Sequence, residues 1–228
     1  AITNDTNSPL SAQAEFVVPL HAGQERAVAA TKTYTCQLAA LALLSCSLAG
    51  DASRLEALLQ VPQFVERVLK KEDETALEAE RCQHMERCVV LGRGYNYATA
   101  CEIALKLREL DSIDADPFSS ADFMHGPIAS LRGGFLAIVV APSGKMFKAM
   151  QDFGQELRSR DADLLIISDR KDMLARAEIP LSLPEGIPEW LSPLVAVVPG
   201  QLLALHLAQI KGYDPDQVHG LQKITLTQ

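Results

Sequence analysis

Short apolar runs alternate with longer segments of helical periodicity through the C-terminal two thirds of the chain. The apolar runs occupy residues 88–92, 134–141, 162–168 and 179–183. The helical segments occupy residues 97–110, 145–158, 173–177 and 193–211. Continuous apolar strands separated by helices are typical of a parallel sheet covered on both faces. The pattern therefore predicts an α/β domain, with a parallel sheet and helices on both of its faces, over residues 82–228 including a C-terminal tail.

The pattern before residue 82 is different. A short β-branched, proline-bounded segment at residues 15–20 predicts an edge strand, and an Ala- and Leu-rich segment at 28–48 predicts a central helix closed by Gly50. Residues 54–71 and 72–87 are charged and amphipathic, which predicts two more helices. We expect residues 1–50 to be the C-terminal part of a first domain, with its upstream half missing, and residues 51–81 to be a helical connection.

Composition and charge narrow the class of protein. With 48% hydrophobic and 22% charged residues the chain has the balance of an ordinary globular protein. A net charge of −8 argues against nucleic-acid binding, which requires a cationic surface. The longest apolar stretches are interrupted by polar residues, so we expect core helices and no membrane association. Five cysteines without a CxxC pair favour reduced thiols in the cytoplasm.

Candidate chemistry begins at the end of the first apolar run of this domain. Gly92-Arg93-Gly94 is a glycine turn between a strand and a helix, where parallel sheets bind ligands, although a purely structural turn fits equally well. In the helix that follows, Glu102, Lys106 and Glu109 share one stripe. By spacing alone a solvated face with a Glu–Lys pair is favoured over a catalytic group.

A histidine stands at a rigid bend further along the chain. His125 directly precedes Gly126-Pro127, and histidine is the side chain best suited to moving protons near neutral pH. A histidine that only hydrogen-bonds within its own turn is the alternative. His206 lies in an apolar helix and is interpreted as a core residue.

Together these segments carry a resemblance to a known family. The chain resembles the second sugar isomerase (SIS) domain of the glucosamine-6-phosphate synthase isomerase family, preceded by the end of the first SIS domain. The resemblance implies the SIS fold, a flavodoxin-like three-layer sandwich, with the second SIS domain complete and the first only partly present. The segments that carry the resemblance lie in order along the chain, at residues 3–4, 23–25, 28–33, 91–94, 102–109, 125–127, 199–204 and 220–225.

The resemblance implies roles for individual residues. Members of the family interconvert aldose and ketose phosphates, and Glu109 matches the carboxylate that moves the proton between C1 and C2. Lys106 and Glu102 match polar groups of the same helix near the sugar. His125 matches the histidine that assists ring opening, which implies a homodimer with a shared active site because this histidine comes from the partner subunit.

Further substrate contacts are implied at both ends of the chain. Val28 and Ala29 match a substrate-contacting turn, and Lys223, beside Gln222, matches a tail lysine that closes over the substrate. The family's Ser-x-Ser-x-x-Thr phosphate loop is not found in this sequence, so we expect an incomplete phosphate site. Proton transfer between neighbouring carbons needs only acids and bases, so no metal or organic cofactor is expected.

Three functions follow from the resemblance. The favoured one is a free-standing deaminase that converts glucosamine 6-phosphate to fructose 6-phosphate and ammonia. Residues 30–34 resemble the free-standing proteins, and the tail at 223–228 departs from the ending common among the synthases. The second is the isomerase half of a glutamine-dependent synthase. The third, a non-catalytic module that senses a sugar phosphate, has no use for Glu109 and Lys106.

Overall fold

The computed structural model describes residues 1–131 and 133–217, and the chain divides into two compact units. The first unit contains residues 1–60 together with 216–217, and the second contains residues 61–215. The parallel α/β architecture predicted from the alternating pattern is confirmed in the second unit.

The first unit contains two very short strands and three helices. Its elements are β1 (Ile2–Thr3), α1 (Pro9–Gln13), β2 (Val18–Pro19), α2 (Lys32–Ala49) and α3 (Ala52–Leu59). The strands β1 and β2 pair in parallel. Gly50 ends α2 in the left-handed conformation with φ +62°, as its position in the sequence predicted. The helix begins later than expected, because residues 20–31 form a loop without regular structure.

The second unit is built on one parallel sheet of five strands in the order β4-β3-β5-β6-β7. These strands are β3 (Arg87–Gly92), β4 (Asp114–Ser119), β5 (Leu136–Val140), β6 (Asp163–Ser168) and β7 (Ile179–Ser182). The chain passes from β3 outward to β4 and then crosses back to β5 on the other side of β3. The order of the strands therefore reverses between β3 and β5.

Helices cover the sheet on both faces. They are α4 (Val61–Leu69), α5 (Glu72–Arg81), α6 (Asn96–Asp111), α7 (Ser120–Met124), α8 (Phe147–Ser159), α9 (Lys171–Leu174) and α10 (Ser192–Ile210). One face of the sheet packs against α7, α8 and α9, with Phe123 and Leu157 at the centre of that core. On the other side α6 packs against β3 and β4, and α10 covers α4, α5 and α6.

The edge strand β4 was not predicted from the pattern. Its residues Asp114, Ala115, Asp116 and Pro117 lack the apolar continuity of the inner strands, and proline is tolerated only where a ladder hydrogen bond can be omitted. At the edge of the sheet β4 pairs with β3 alone, so its outer side tolerates a proline and charged residues.

Helix α10 is the most apolar helix of the second unit. By length and composition alone the segment Glu189–Ile210 could cross a membrane, and 83% of its apolar window is buried inside the protein, as in a core helix. Pro199 lies inside the helix and is followed by Gly200. A Cβ atom on Gly200 would lie 2.4 Å from Cγ1 of Ile103, so the absence of a side chain permits the close approach of α10 to α6.

A buried carboxyl group ends α6. Asp111 is 1% exposed, and neither oxygen of its side chain has a hydrogen-bond partner within the described part of the chain. Burial raises the pKa of Asp111 to about 8, against the opposing effect of the Lys211 cation. The Lys211 ammonium donates to the backbone oxygens of Asp111 at 3.1 Å and Met85 at 3.4 Å, and so ties the end of α10 to the end of α6.

Replacing Gly200 with alanine is expected to destabilise the protein. The added methyl group collides with the fully buried Ile103, and overpacking of this kind costs about 1–3 kcal/mol of unfolding free energy. Urea denaturation measures the loss. In a protein that already carries Ile103→Ala, Gly200→Ala should lower the unfolding free energy by a smaller amount. Gly133→Ala serves as the control, because its added Cβ would meet its nearest atom at 3.9 Å. An equal loss of unfolding free energy on Gly200→Ala with and without Ile103→Ala would contradict a close contact between these two residues.

Asp111→Asn is expected to change how stability depends on pH. In the folded protein Asp111 keeps its proton up to about pH 8, whereas in the unfolded chain it ionises near its ordinary pKa of 3.8. Between pH 3.8 and about 8 the folded state therefore binds one more proton than the unfolded chain. The stability that this proton contributes is fully present below pH 3.8 and is lost as pH rises through about 8.

The variant lacks this proton, so its unfolding free energy relative to wild type should rise with pH across that window. Chemical denaturation at mildly acidic and mildly alkaline pH measures the difference. Asp163→Asn, at the start of β6 and exposed, is the matched control for the same chemical change at the surface. A difference that does not change with pH for Asp111→Asn would show that the carboxyl group is ionised when folded.

Candidate active site

A tight glycine turn places the start of α6 at the carboxyl edge of the sheet. A Cβ atom on Gly92 would lie 2.1 Å from the backbone oxygen of Asn96, so only glycine allows the chain to turn directly from β3 into the helix. Gly94 adopts φ +58°, which also favours glycine. The predicted glycine turn is thus required by the backbone, and it orients every side chain of α6 relative to the sheet.

Two of the three residues in the polar stripe of α6 are buried. The side chains of Glu102 and Lys106 are 8% and 3% exposed, and that of Glu109 is 25% exposed. The lysine Nζ lies 2.5 Å from Oε2 of Glu109 and 3.7 Å from Oε1 of Glu102. The solvated face that spacing alone favoured is therefore wrong. A lysine is almost never buried to this extent unless it is paired, and here it lies between two carboxyl groups.

The two carboxyl groups differ in environment. Burial raises the pKa of Glu102 to about 7, Lys106 opposes that rise, and the nearby Glu109 adds to it. Oε1 of Glu102 has no hydrogen-bond partner among the described residues, whereas Glu109 accepts a charge-assisted hydrogen bond from Lys106. Glu109 is also the more exposed of the two, so it is the carboxylate that can reach a ligand. The arrangement offers a proton acceptor beside a fixed cation.

His125 lies on a separate turn that follows β4. It ends α7, and its backbone N–H donates to the oxygen of Asp122 at 3.0 Å. The next residue, Gly126, has φ +136°, which gives the bend its shape. The imidazole is exposed and makes no hydrogen bond to any of residues 1–131 or 133–217. It is therefore free to contact a ligand or another chain.

The other predicted substrate contacts are Val28, Ala29, Gln222 and Lys223. Val28 and Ala29 belong to the loop before α2 in the first unit, where the Glu25 carboxylate accepts hydrogen bonds from the backbone N–H and the hydroxyl group of Thr33 at 2.9 and 2.8 Å. These bonds fix the loop to the start of α2. Gln222 and Lys223 lie outside the described residues.

Sequence reasoning missed a buried polar network at the start of α6. The Asn96 amide donates to the hydroxyl oxygen of Ser192 at 2.8 Å, and that hydroxyl donates to the backbone oxygen of Glu189 at 2.7 Å. These residues are far apart along the chain, and no spacing rule connects them. Among residues 1–131 and 133–217, no three His, Cys, Asp or Glu side chains are grouped so that they could hold a metal ion.

Comparison with known proteins places this geometry in context. Residues 82–211 match the family described as the SIS domain. The chain is 39% identical over 232 residues to the isomerizing glutamine–fructose-6-phosphate aminotransferase of Thermococcus kodakarensis, a match that covers 98% of this chain and 38% of that protein. It thus spans about two fifths of the length of that relative.

Two solved structures share the fold. The C-terminal domain of glucosamine-fructose-6-phosphate aminotransferase from Francisella tularensis is 32% identical with a TM-score of 0.88, and the match covers 95% of this chain and 64% of that one. A glucosamine-6-phosphate deaminase from Thermotoga maritima is 25% identical with a TM-score of 0.74, and the match covers 97% and 65% of the two chains.

Proposed function

The chain belongs to the SIS domain family, and on that basis we propose that it forms part of a phosphosugar isomerase in which Glu109 carries the proton between C1 and C2 of the substrate. The observation that carries the proposal is the pairing of the buried Lys106 with the partly exposed Glu109, with Nζ 2.5 Å from Oε2. Burying a lysine is costly, and a module that only senses a ligand gains nothing from it. This argues against the non-catalytic alternative.

The chemistry needs one carboxylate and one cation. Glu109 removes the proton next to the carbonyl group of the open-chain sugar and returns it to the neighbouring carbon. Negative charge develops on the carbonyl oxygen as the enediolate forms, and the Lys106 ammonium stabilises it. Glu102 faces the same ammonium from the other side at 3.7 Å and holds it in position.

Groups outside α6 complete the proposed site. His125 assists ring opening and is contributed by the partner subunit of a homodimer, which is consistent with its exposed imidazole. The backbone of Val28 and Ala29 contacts the sugar, and Lys223 with Gln222 closes over it.

We favour an amino sugar phosphate as the substrate. For glucosamine 6-phosphate, proton transfer from C2 to C1 converts the C2 amine into an imine, water adds to C2, and ammonia leaves to give fructose 6-phosphate. The deaminase of Thermotoga maritima, which shares the fold at 25% identity, supports this reaction. The second candidate is the isomerase half of a glutamine-dependent synthase, and the higher identity to the aminotransferase of Thermococcus kodakarensis favours it.

Glu109→Gln is expected to abolish turnover in the intact protein. The change removes the proton carrier and preserves the shape, so kcat should fall by at least ~10²-fold while KM stays within a few-fold. Steady-state kinetics with a phosphosugar substrate measures both. Glu80→Gln, an exposed glutamate at the end of α5, is the matched control and should retain wild-type activity. Near-normal turnover of Glu109→Gln would refute its assignment.

Ammonia release separates the two candidate reactions. If the protein is a deaminase, the intact protein given glucosamine 6-phosphate without glutamine should release ammonia and fructose 6-phosphate in equal amounts. A chelator should leave the rate unchanged, because the proposed groups are acids and bases only. A coupled assay for each product measures the outcome. Conversion of glucose 6-phosphate to fructose 6-phosphate without ammonia release from the amino sugar would exclude the deaminase and favour the synthase half.

A further inference from the structure

A crevice lies between the carboxyl ends of β3 and β5, where the strand order of the second unit reverses. In open parallel sheets this is the position at which ligands bind, and phosphate groups bind there at helix N-termini. One wall of the crevice contains Arg93 from the glycine turn and Asn96 from the start of α6, and the other contains Pro142 and Met146 from the loop between β5 and α8. Glu189 also lines the crevice.

In the second wall, backbone N–H groups that could bind an anion already donate to carboxylates of the chain itself. The backbone N–H of Ser143 donates to Oδ1 of Asp169 at 2.7 Å, and that of Met146 donates to Oε1 of Glu189 at 3.4 Å. Met146 directly precedes α8, so the Glu189 carboxylate lies at the positive end of a helix of 13 residues. That is where a bound phosphate would lie in a sheet of this type.

The loop before α8 is shaped around this carboxylate. Gly144 has φ +152°, and a Cβ atom on it would lie 2.5 Å from Cδ and 2.7 Å from Oε1 of Glu189. The missing side chain thus makes room for the carboxylate group itself. Close backbone approach through glycine is the device by which phosphate loops accept their ligand.

The main chain of Glu189 is fixed to the opposite wall. Its backbone oxygen accepts a hydrogen bond from the Ser192 hydroxyl, which in turn accepts one from the buried Asn96 at the start of α6. The residue therefore spans the crevice, with its backbone tied to one helix and its side chain at the other. The free volume left is about 10 Å³, at the lower limit of what a single water molecule requires.

We propose that Glu189 is a built-in anion that fills the ligand crevice of the second sheet and closes it to phosphate. The residues that remain when the carboxylate is removed suit a small oxyanion: the N–H of Met146, the space above Gly144, and Arg93, whose guanidinium has no carboxylate partner in the described part of the chain. The sheet of the second unit thus has the backbone geometry of a phosphate site, with the Glu189 carboxylate in the place of the phosphate.

The test uses Glu189→Ala and inorganic phosphate as the probe. Backbone amide resonances of Gly94, Gly144 and Met146 are followed by NMR in the whole chain during titration with millimolar phosphate, against chloride at equal ionic strength. In wild type these resonances should not move. In Glu189→Ala they should shift in a saturable manner, with phosphate bound at least about tenfold more tightly than by wild type.

Two further variants keep the test decisive. Glu185→Gln, an exposed glutamate of the preceding turn, should behave as wild type. Glu189→Ser removes both the charge and the bulk that fill the crevice and leaves a small polar side chain, so it provides a second variant if the alanine variant does not fold, and it should show the same shifts. The proposal is overturned if a folded Glu189 variant shows no shift at Gly144 and Met146, or if wild type shows the same saturable shift.

Discussion

The close approach of α10 to α6 is the contact on which the rest of the second unit depends. Because Gly200 has no side chain, Ile103 fills the space above it, and α6 is held between the sheet and the most apolar helix of the unit. A helix held on both sides cannot rotate about its axis. The glycine turn at Gly92 fixes the start of α6 in the same way, so the stripe that carries Lys106 has one orientation.

This constraint explains the unusual electrostatics of α6. A helix packed on both sides buries polar positions that an exposed helix would leave in water, and its carboxyl groups respond by retaining protons. Burial raises the pKa of Glu102 to about 7 and that of Asp111 to about 8. Only Glu109 of the polar stripe keeps both a partner and substantial exposure, which is what a proton carrier requires. Rigid packing thus separates the roles of similar side chains on one helix.

The parallel sheet and most of its helices could be predicted because apolar runs and helical periodicity alternate so regularly in this part of the chain. The grouping of Glu102, Lys106 and Glu109 also followed from spacing. Their burial could not be predicted, since the apolar cover of α6 comes from α10, about a hundred residues later in the sequence. The position of Glu189 across the crevice could not be predicted for the same reason, because its partners are distant along the chain. Strand β4 was missed because an edge strand needs no continuous run of apolar residues.

The two outer strands of the sheet share one further property. Pro117 interrupts β4 and Pro180 interrupts β7, and the other edge residues of β4 include the exposed Asp114 and Asp116. A strand from another molecule that added to either edge would meet a missing N–H donor, and at β4 also two charged pairs, Asp114 with Arg87 and Asp116 with Arg108. The sheet is therefore closed to growth at both ends, and its strongly hydrophobic inner strands are protected from edge-to-edge aggregation.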